Sequence, residues 1–160
     1  MSAPVIRPAV AADHARLLAI WLAASRAGHP FLGETRLEAD QAKVRDIYLP
    51  AAETWLAEIN GEPAGFIGLL DDFIGGLFVD PGRHGGGLGR ALVEHAAARH
   101  GALSVSVYAD NAAALAFYRR LGFIETARGT EDDDARRLAV VTLARPARNS
   151  GFERGGPRFA

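Results

Sequence analysis

The most chemically loaded stretch of the chain is Leu77-Phe78-Val79-Asp80-Pro81-Gly82-Arg83-His84-Gly85-Gly86-Gly87-Leu88-Gly89-Arg90-Ala91-Leu92. An apolar strand runs into glycines whose amides can approach a ligand closely, and then into a helix start. Such a junction turns unpaired N–H groups and the positive end of a helix dipole toward an anion. The dipole is worth only about 0.3–1 kcal/mol at an exposed site, so converging amides must supply most of the affinity. Two familiar phosphate patterns fail here. A P-loop needs a Lys-Ser/Thr pair after its last glycine, and the sole lysine of the chain is Lys43. The dinucleotide fingerprint G-x-G-x-x-G meets Arg90 or Leu92 where its last glycine belongs. The plain alternative is a glycine loop that merely turns the chain.

The loop has a companion, Asn111-Ala112-Ala113-Ala114-Leu115-Ala116-Phe117-Tyr118-Arg119-Arg120-Leu121-Gly122-Phe123. Together the two segments resemble the Gcn5-related N-acetyltransferase (GNAT) superfamily. Its pieces are a strand running into a Val-Asp-Pro loop, a Gly-x-Gly helix start and an Asn…Phe-Tyr…Gly-Phe run. The resemblance extends over about Val5 to Leu143. The Ile20-Trp21 helix, the His29…Phe31-Leu32 loop and the run Leu92-Val93-Glu94-His95-Ala96 are similar to small bacterial YjaB-type members. The resemblance implies acetyl-CoA as the acetyl-donor cosubstrate, bound between two splayed parallel strands that end near Val79 and Tyr108. Backbone groups of Leu77, Phe78 and Val79 would hold the pantetheine arm and the acetyl carbonyl. Amides of His84, Gly85, Gly86, Gly87, Leu88, Gly89 and Arg90 would hold the pyrophosphate, and Asn111 and Tyr118 would sit near the acyl end. One departure is His84, which stands where the family usually has Arg or Gln, with Arg83 one position early. A histidine there makes side-chain help to the phosphates pH-dependent.

Aminolysis of a thioester needs a neutral amine, a stabilised oxyanion and a proton for the departing thiolate. The chain has no cysteine. A cysteinyl acyl-enzyme is thereby excluded, which favours direct attack in a ternary complex. Tyr118 is the family-matched general acid; on spacing alone, Phe117, Tyr118 and Leu121 could equally be packing residues. No base is assigned. Relatives often carry an acidic residue on the third strand of the meander, where this chain has Gly75-Gly76. Glu58, Asp71 and Asp72 lie in nearby elements, but an aspartate pair in a turn serves the turn first. His29 occupies a loop that borders the acceptor site in relatives, as a base, a substrate contact or a plain surface residue. His14, His95 and His100 read as helix-surface residues. The run Glu131-Asp132-Asp133-Asp134 could attract a cationic amine or be a solvated turn, and Arg136 and Arg137 partly cancel its field. Nothing suggests a metal.

The elements that must position these groups follow from periodicity. A short strand is expected at Val5 to Arg7, and a helix at Asp13 to Arg26 with Leu17, Leu18, Trp21 and Leu22 at helical spacing. A loop at 29–33 and a second helix from Arg36 to Tyr48 follow, ended by Pro50. Strands Thr54 to Ile59, Ala64 to Leu70 and Phe73 to Val79 form an antiparallel meander, with Asn60-Gly61 as a hairpin turn. A helix from Gly87 to His100 and a strand from Leu103 to Tyr108 complete a right-handed crossover with parallel neighbours. Asn111 caps a helix to Leu121, with Gly122 past its end. Phe123 to Gly129 and Leu138 to Leu143 make a closing hairpin over the acidic turn. The expected fold is α/β: one GNAT domain over 1–145 with a mixed central sheet, then a disordered tail over 146–160.

Composition agrees with one soluble domain. Of 160 residues, 49% are hydrophobic and 23% charged, and a domain of this length can bury about two-thirds of its unfolded surface. Eighteen basic against nineteen acidic residues leave a net charge of −1, so no global field recruits nucleic acid. The longest apolar run, Leu17 to Ala24, is too short to span a bilayer, and no secretory signal is visible. The expectation is a cytoplasmic enzyme that transfers acetyl from acetyl-CoA to a primary amine of a small molecule. The alternatives are a protein lysine or N-terminal acceptor, or an inactive acyl-CoA-binding regulatory module. A homodimer is in keeping with the resemblance.

Overall fold

A computed structural model describes residues 3–83, 86–130 and 138–147. The strands are β1 (Val5–Pro8), β2 (Glu53–Ile59), β3 (Glu62–Leu70), β4 (Phe73–Val79), β5 (Leu103–Tyr108), β6 (Ile124–Gly129) and β7 (Val140–Arg145). The helices are α1 (His14–Gly28), α2 (Glu34–Lys43), the single turn α3 (Leu49–Ala51), α4 (Leu88–His100) and α5 (Ala112–Arg120). All seven strands join one mixed sheet in the order β1-β2-β3-β4-β5-β7-β6. The pairs are antiparallel except β4 with β5. β7 inserts between β5 and β6, so the closing hairpin contributes both a central strand and an edge.

Turn chemistry sets the meander. Asn60 and Gly61 both adopt positive φ (55° and 81°), the backbone a two-residue hairpin turn demands. The sheet carries an apolar core on each face. Leu17, Ile20 and Trp21 of α1 and Leu37 of α2 pack with Leu56 and Phe66 on one side. Leu88, Leu92 and Val93 of α4 and Leu115 and Tyr118 of α5 pack with Ile67, Leu69, Val105 and Leu143 on the other.

Some boundaries differ from expectation. Pro50 does not end a helix. The backbone passes from α2 through a π-helical segment at Val44–Tyr48 into α3, where Pro50 lies in the first turn. A proline is accommodated there because its missing N–H has no intrahelical duty. His95 and His100 are not plain surface residues either. His95 packs at a tilt of 58° against Trp55 with ring centroids 4.4 Å apart, and its Nε2 is buried. His100 Nε2 lies 3.0 Å from Glu53 Oε1. The acidic run at 131–134 and the tail from 148 onward lie outside the described residues. Among the described residues, no helix is long and apolar enough to cross a membrane.

Candidate active site

The site begins where β4 and β5 part. Their parallel ladder holds only Phe73 with Ser104 and Ile74 with Val105. Gly75 is an extra residue in β4, because Gly68 faces Gly76 while Leu69 already faces Ile74. Such a bulge bends its strand and increases the local twist, and here it falls where the two strands lose contact. Gly76 is required by packing. A Cβ there would meet Phe78 Cε2 at 2.5 Å, and the Phe78 ring in turn packs on Phe66 at 5.5 Å. Packing therefore excludes an acidic side chain at Gly76, though not at Gly75, where a Cβ would come no nearer than 3.6 Å to its neighbours.

Asp80 N–H donates to Ala64 O at 2.8 Å. Alternation along an antiparallel strand then turns the backbone groups of Leu77 and Val79 away from β3, into the gap toward β5. Phe78, paired with Phe66, turns its backbone to β3 instead; of the three residues assigned to the pantetheine arm, Leu77 and Val79 have the suitable orientation. Beyond β4, Asp80 shapes the turn. Its Oδ1 accepts from Gly82 N–H at 3.0 Å, and its Oδ2 accepts from Arg16 at 3.2 Å. Gly87 then enters α4 with φ +78°, and its carbonyl accepts from Ala91 N–H. The N–H groups of Leu88, Gly89 and Arg90 precede the first intrahelical donor, Ala91 N–H, so they have no partner within the helix and can turn to a ligand. Gly89 has a second constraint, because a Cβ there would lie 3.1 Å from Phe117 Cζ.

The gap opens into a cavity of about 1320 Å³. Leu77, Phe78, Val79, Gly87, Leu88, Gly89, Arg90, Asn111 and Tyr118 all line it. Gly86 does not, and His84 and Gly85 lie outside the described residues. Arg83 and Arg120 add positive charge to the wall. The convergent amides, the glycine approach and these guanidinium groups fit a pyrophosphate-bearing acyl carrier.

Tyr118 is buried against Phe117 (5.0 Å) and Phe123 (5.2 Å). Burial pushes its phenol well above the ordinary value, so it keeps its proton at neutral pH. Asn111 caps α5, its Oδ1 accepting from Ala114 N–H at 3.1 Å. Its Nδ2 lies 3.1 Å from His29 Nε2. His29 is enclosed by the ring edges of Phe31 and Tyr108, and burial lowers its pKa. It is the one histidine lining the cavity among the described residues, and Asp40 is the one carboxylate. Glu58, by contrast, accepts from Arg7 Nε at 2.8 Å on β2, and neither it nor Asp71 or Asp72 reaches the cavity. Asp40 was not singled out from the sequence. It lies on an exposed-looking helix, and only the packing of α2 over the sheet brings it to the wall.

Comparison with known proteins places this geometry. Residues 50–125 match a family model described as an acetyltransferase (GNAT) domain. The chain is 35% identical over 132 residues to the peptidyl-lysine N-acetyltransferase YjaB of Salmonella typhimurium, covering 82% of this chain and 90% of that protein. It is 33% identical over 120 residues to the peptidyl-lysine N-acetyltransferase YiaC of Escherichia coli, covering 74% and 82%. The solution structure of apo-form YjaB from Escherichia coli superposes with a TM-score of 0.83 at 33% identity, over 89% of this chain and 97% of that one. The chain belongs to the GNAT acetyltransferases, enzymes whose acetyl donor is acetyl-CoA.

Proposed function

We propose that this enzyme acetylates the ε-amine of lysine in a peptide or protein, by direct attack of the amine on acetyl-CoA. Similarity over nearly the whole length of relatives named peptidyl-lysine N-acetyltransferases carries the choice of acceptor. In this reading the amides of Leu88, Gly89 and Arg90 bind the pyrophosphate, and the gap-facing backbone of Leu77 and Val79 aligns the pantetheine arm. The amine lone pair adds to the thioester carbonyl, the C–S bond breaks as Tyr118 gives its proton to the departing sulfur, and the proton shed by the nitrogen passes through solvent to restore the phenol. Burial keeps the phenol protonated, as a donor must be, while also making it the weaker acid until the developing thiolate charge draws on it. With no cysteine in the chain, the acetyl group passes straight to the amine.

Two measurements test this. Coenzyme A at a hundredfold excess over its Kd should stabilise the folded protein by about 2.7 kcal/mol through linkage. Thiol release with lysine peptides and with free small amines, products identified by mass, then decides the acceptor. Lysine peptides should give the higher kcat/KM; a clear preference for a free amine would restore the small-molecule acceptor expected from the sequence. Lys43 being the sole lysine, the enzyme itself offers one ε-amine, and the background is correspondingly small.

A further inference from the structure

Two bonds on one amide fix the chemistry of its neighbour. Because Asn111 Oδ1 accepts from Ala114 N–H, the cap bond settles which amide atom is oxygen. The other, Nδ2, has only protons to offer, and it faces His29 Nε2 at 3.1 Å. That ring nitrogen must therefore present a lone pair. The imidazole is neutral, with its proton on Nδ1; a protonated ring would set N–H against N–H. Phe31 and Tyr108 hold the ring from two sides, with centroids at 5.7 and 5.3 Å. α1 approaches closely here, since a Cβ on Gly28 would stand 3.6 Å from the Asn111 amide nitrogen.

We propose that His29 is a positioning residue of the acceptor site, its neutral imidazole clasping Asn111 and so locking the α1 side of the cavity to α5, the helix that carries Tyr118. The role in catalysis rests on the acetyl-transfer reading above; the clasp itself does not. Burial works against a proton on the ring, while Asp40 of α2 works for it, and burial dominates. The other groups around the ring, Phe31 from the 3-10 turn at Pro30–Leu32, Tyr108 from β5 and Asn111, bring no charge at neutral pH. Below its pKa the ring gains a proton at Nε2, the clasp opens, and the wall at 28–33 is released from α5.

Nitrogen-15 imidazole NMR on the full chain reads the clasp without any acceptor. Expected at neutral pH are an unprotonated Nε2, a protonated Nδ1 and a titration midpoint below 6.5; a proton on Nε2 at neutral pH overturns the proposal. Kinetics read its consequence. H29F keeps an aromatic ring between Phe31 and Tyr108 but removes the acceptor, and should raise the acceptor KM about tenfold, the scale of one lost buried hydrogen bond. H29Q offers an Oε1 that accepts from Asn111 at any pH. It should rescue the KM and remove the His29 step from the acid limb, leaving only the limb of the amine itself. If H29F matches the parent, no positioning role exists. If H29Q loses kcat as badly as H29F across the pH range, His29 moves a proton instead. Should no amine be turned over, the acceptor reading fails while the NMR result still decides the clasp.

Discussion

Tyr118 is a buried packing residue that the proposed reaction also asks to serve as acid. Its ring belongs to the core beneath α5, and the residue also lines the cavity. Tyr118→Phe removes one hydroxyl and little volume. Turnover should fall on the order of 10²–10⁴-fold with acetyl-CoA affinity nearly unchanged, measured by steady-state kinetics beside direct binding. The two helix-start glycines separate in the same way. Gly87→Ala meets no atom within 4 Å but forces a positive φ on a side chain, which costs roughly 1–2 kcal/mol. Gly89→Ala presses on the Phe117 ring and so disturbs the neighbour of Tyr118 as well. Steady-state kinetics and thermal melts on both variants should therefore show the larger loss of turnover at Gly89, and the larger share of pure stability loss at Gly87. That Gly87, Gly89 and Tyr118 share one cavity wall follows from motifs whose spacing is local. The clasp was not legible in the sequence, since His29 and Asn111 are 82 residues apart and a loop histidine carries no sign of its partner.

At the scale of elements, periodicity and turn residues foretold the strands and helices that hold the site, from the Asn60-Gly61 turn to the cap at Asn111. What they could not foretell is how far β4 and β5 stay paired. That depends on a one-residue bulge at Gly75, and a Gly-Gly pair in a strand does not announce which glycine is extra. Nor did they reveal the pin that holds β7 to the helices. Arg145 is almost fully buried, donating to both carboxylate oxygens of Glu94 (2.9 and 3.2 Å) and to Leu121 O (3.0 Å). The two halves of this pair are unequal, because a third of the Glu94 side chain reaches solvent. Glu94→Leu leaves a buried guanidinium without its counter-charge and should cost about 3 kcal/mol. Arg145→Leu leaves a carboxylate that water can reach and should cost less. Denaturant melts of both variants check the order. At the other edge, Arg7 donates to both Asp13 oxygens at 2.9 Å and holds that carboxyl at a pKa of about 2, well under its ordinary 3.8. The unfolded chain binds that proton more readily, so this contribution is present above pH 4 and lost as pH falls toward 2. Asp13→Asn should flatten that part of the stability–pH curve, as followed by thermal melts.

For the molecule as a whole, charge is the property that bears on acceptor choice. A net charge of −1 gives no long-range field to draw in a polycation, and the cavity wall is itself more basic than acidic. Arg83, Arg90, Arg120 and Lys43 line it, against Asp40 alone among the described carboxylates. The basic groups suit the phosphates of the donor, so the proposed lysine acceptor would have to be chosen by short-range contacts. Two consequences separate this from electrostatic recruitment. The kcat/KM for a lysine peptide should change only a few-fold between low and physiological salt, where exposed charges are screened beyond roughly 8–10 Å. Adding further lysines around the target lysine should not raise it in proportion. The KM for acetyl-CoA should be the more salt-sensitive constant, because its phosphates meet the guanidinium groups directly. Steady-state kinetics over a salt series, with a singly charged and a polybasic peptide, measure both. If the peptide term falls steeply with salt while the acetyl-CoA term holds, acceptor recognition is electrostatic and the charge that performs it lies elsewhere than on the described wall.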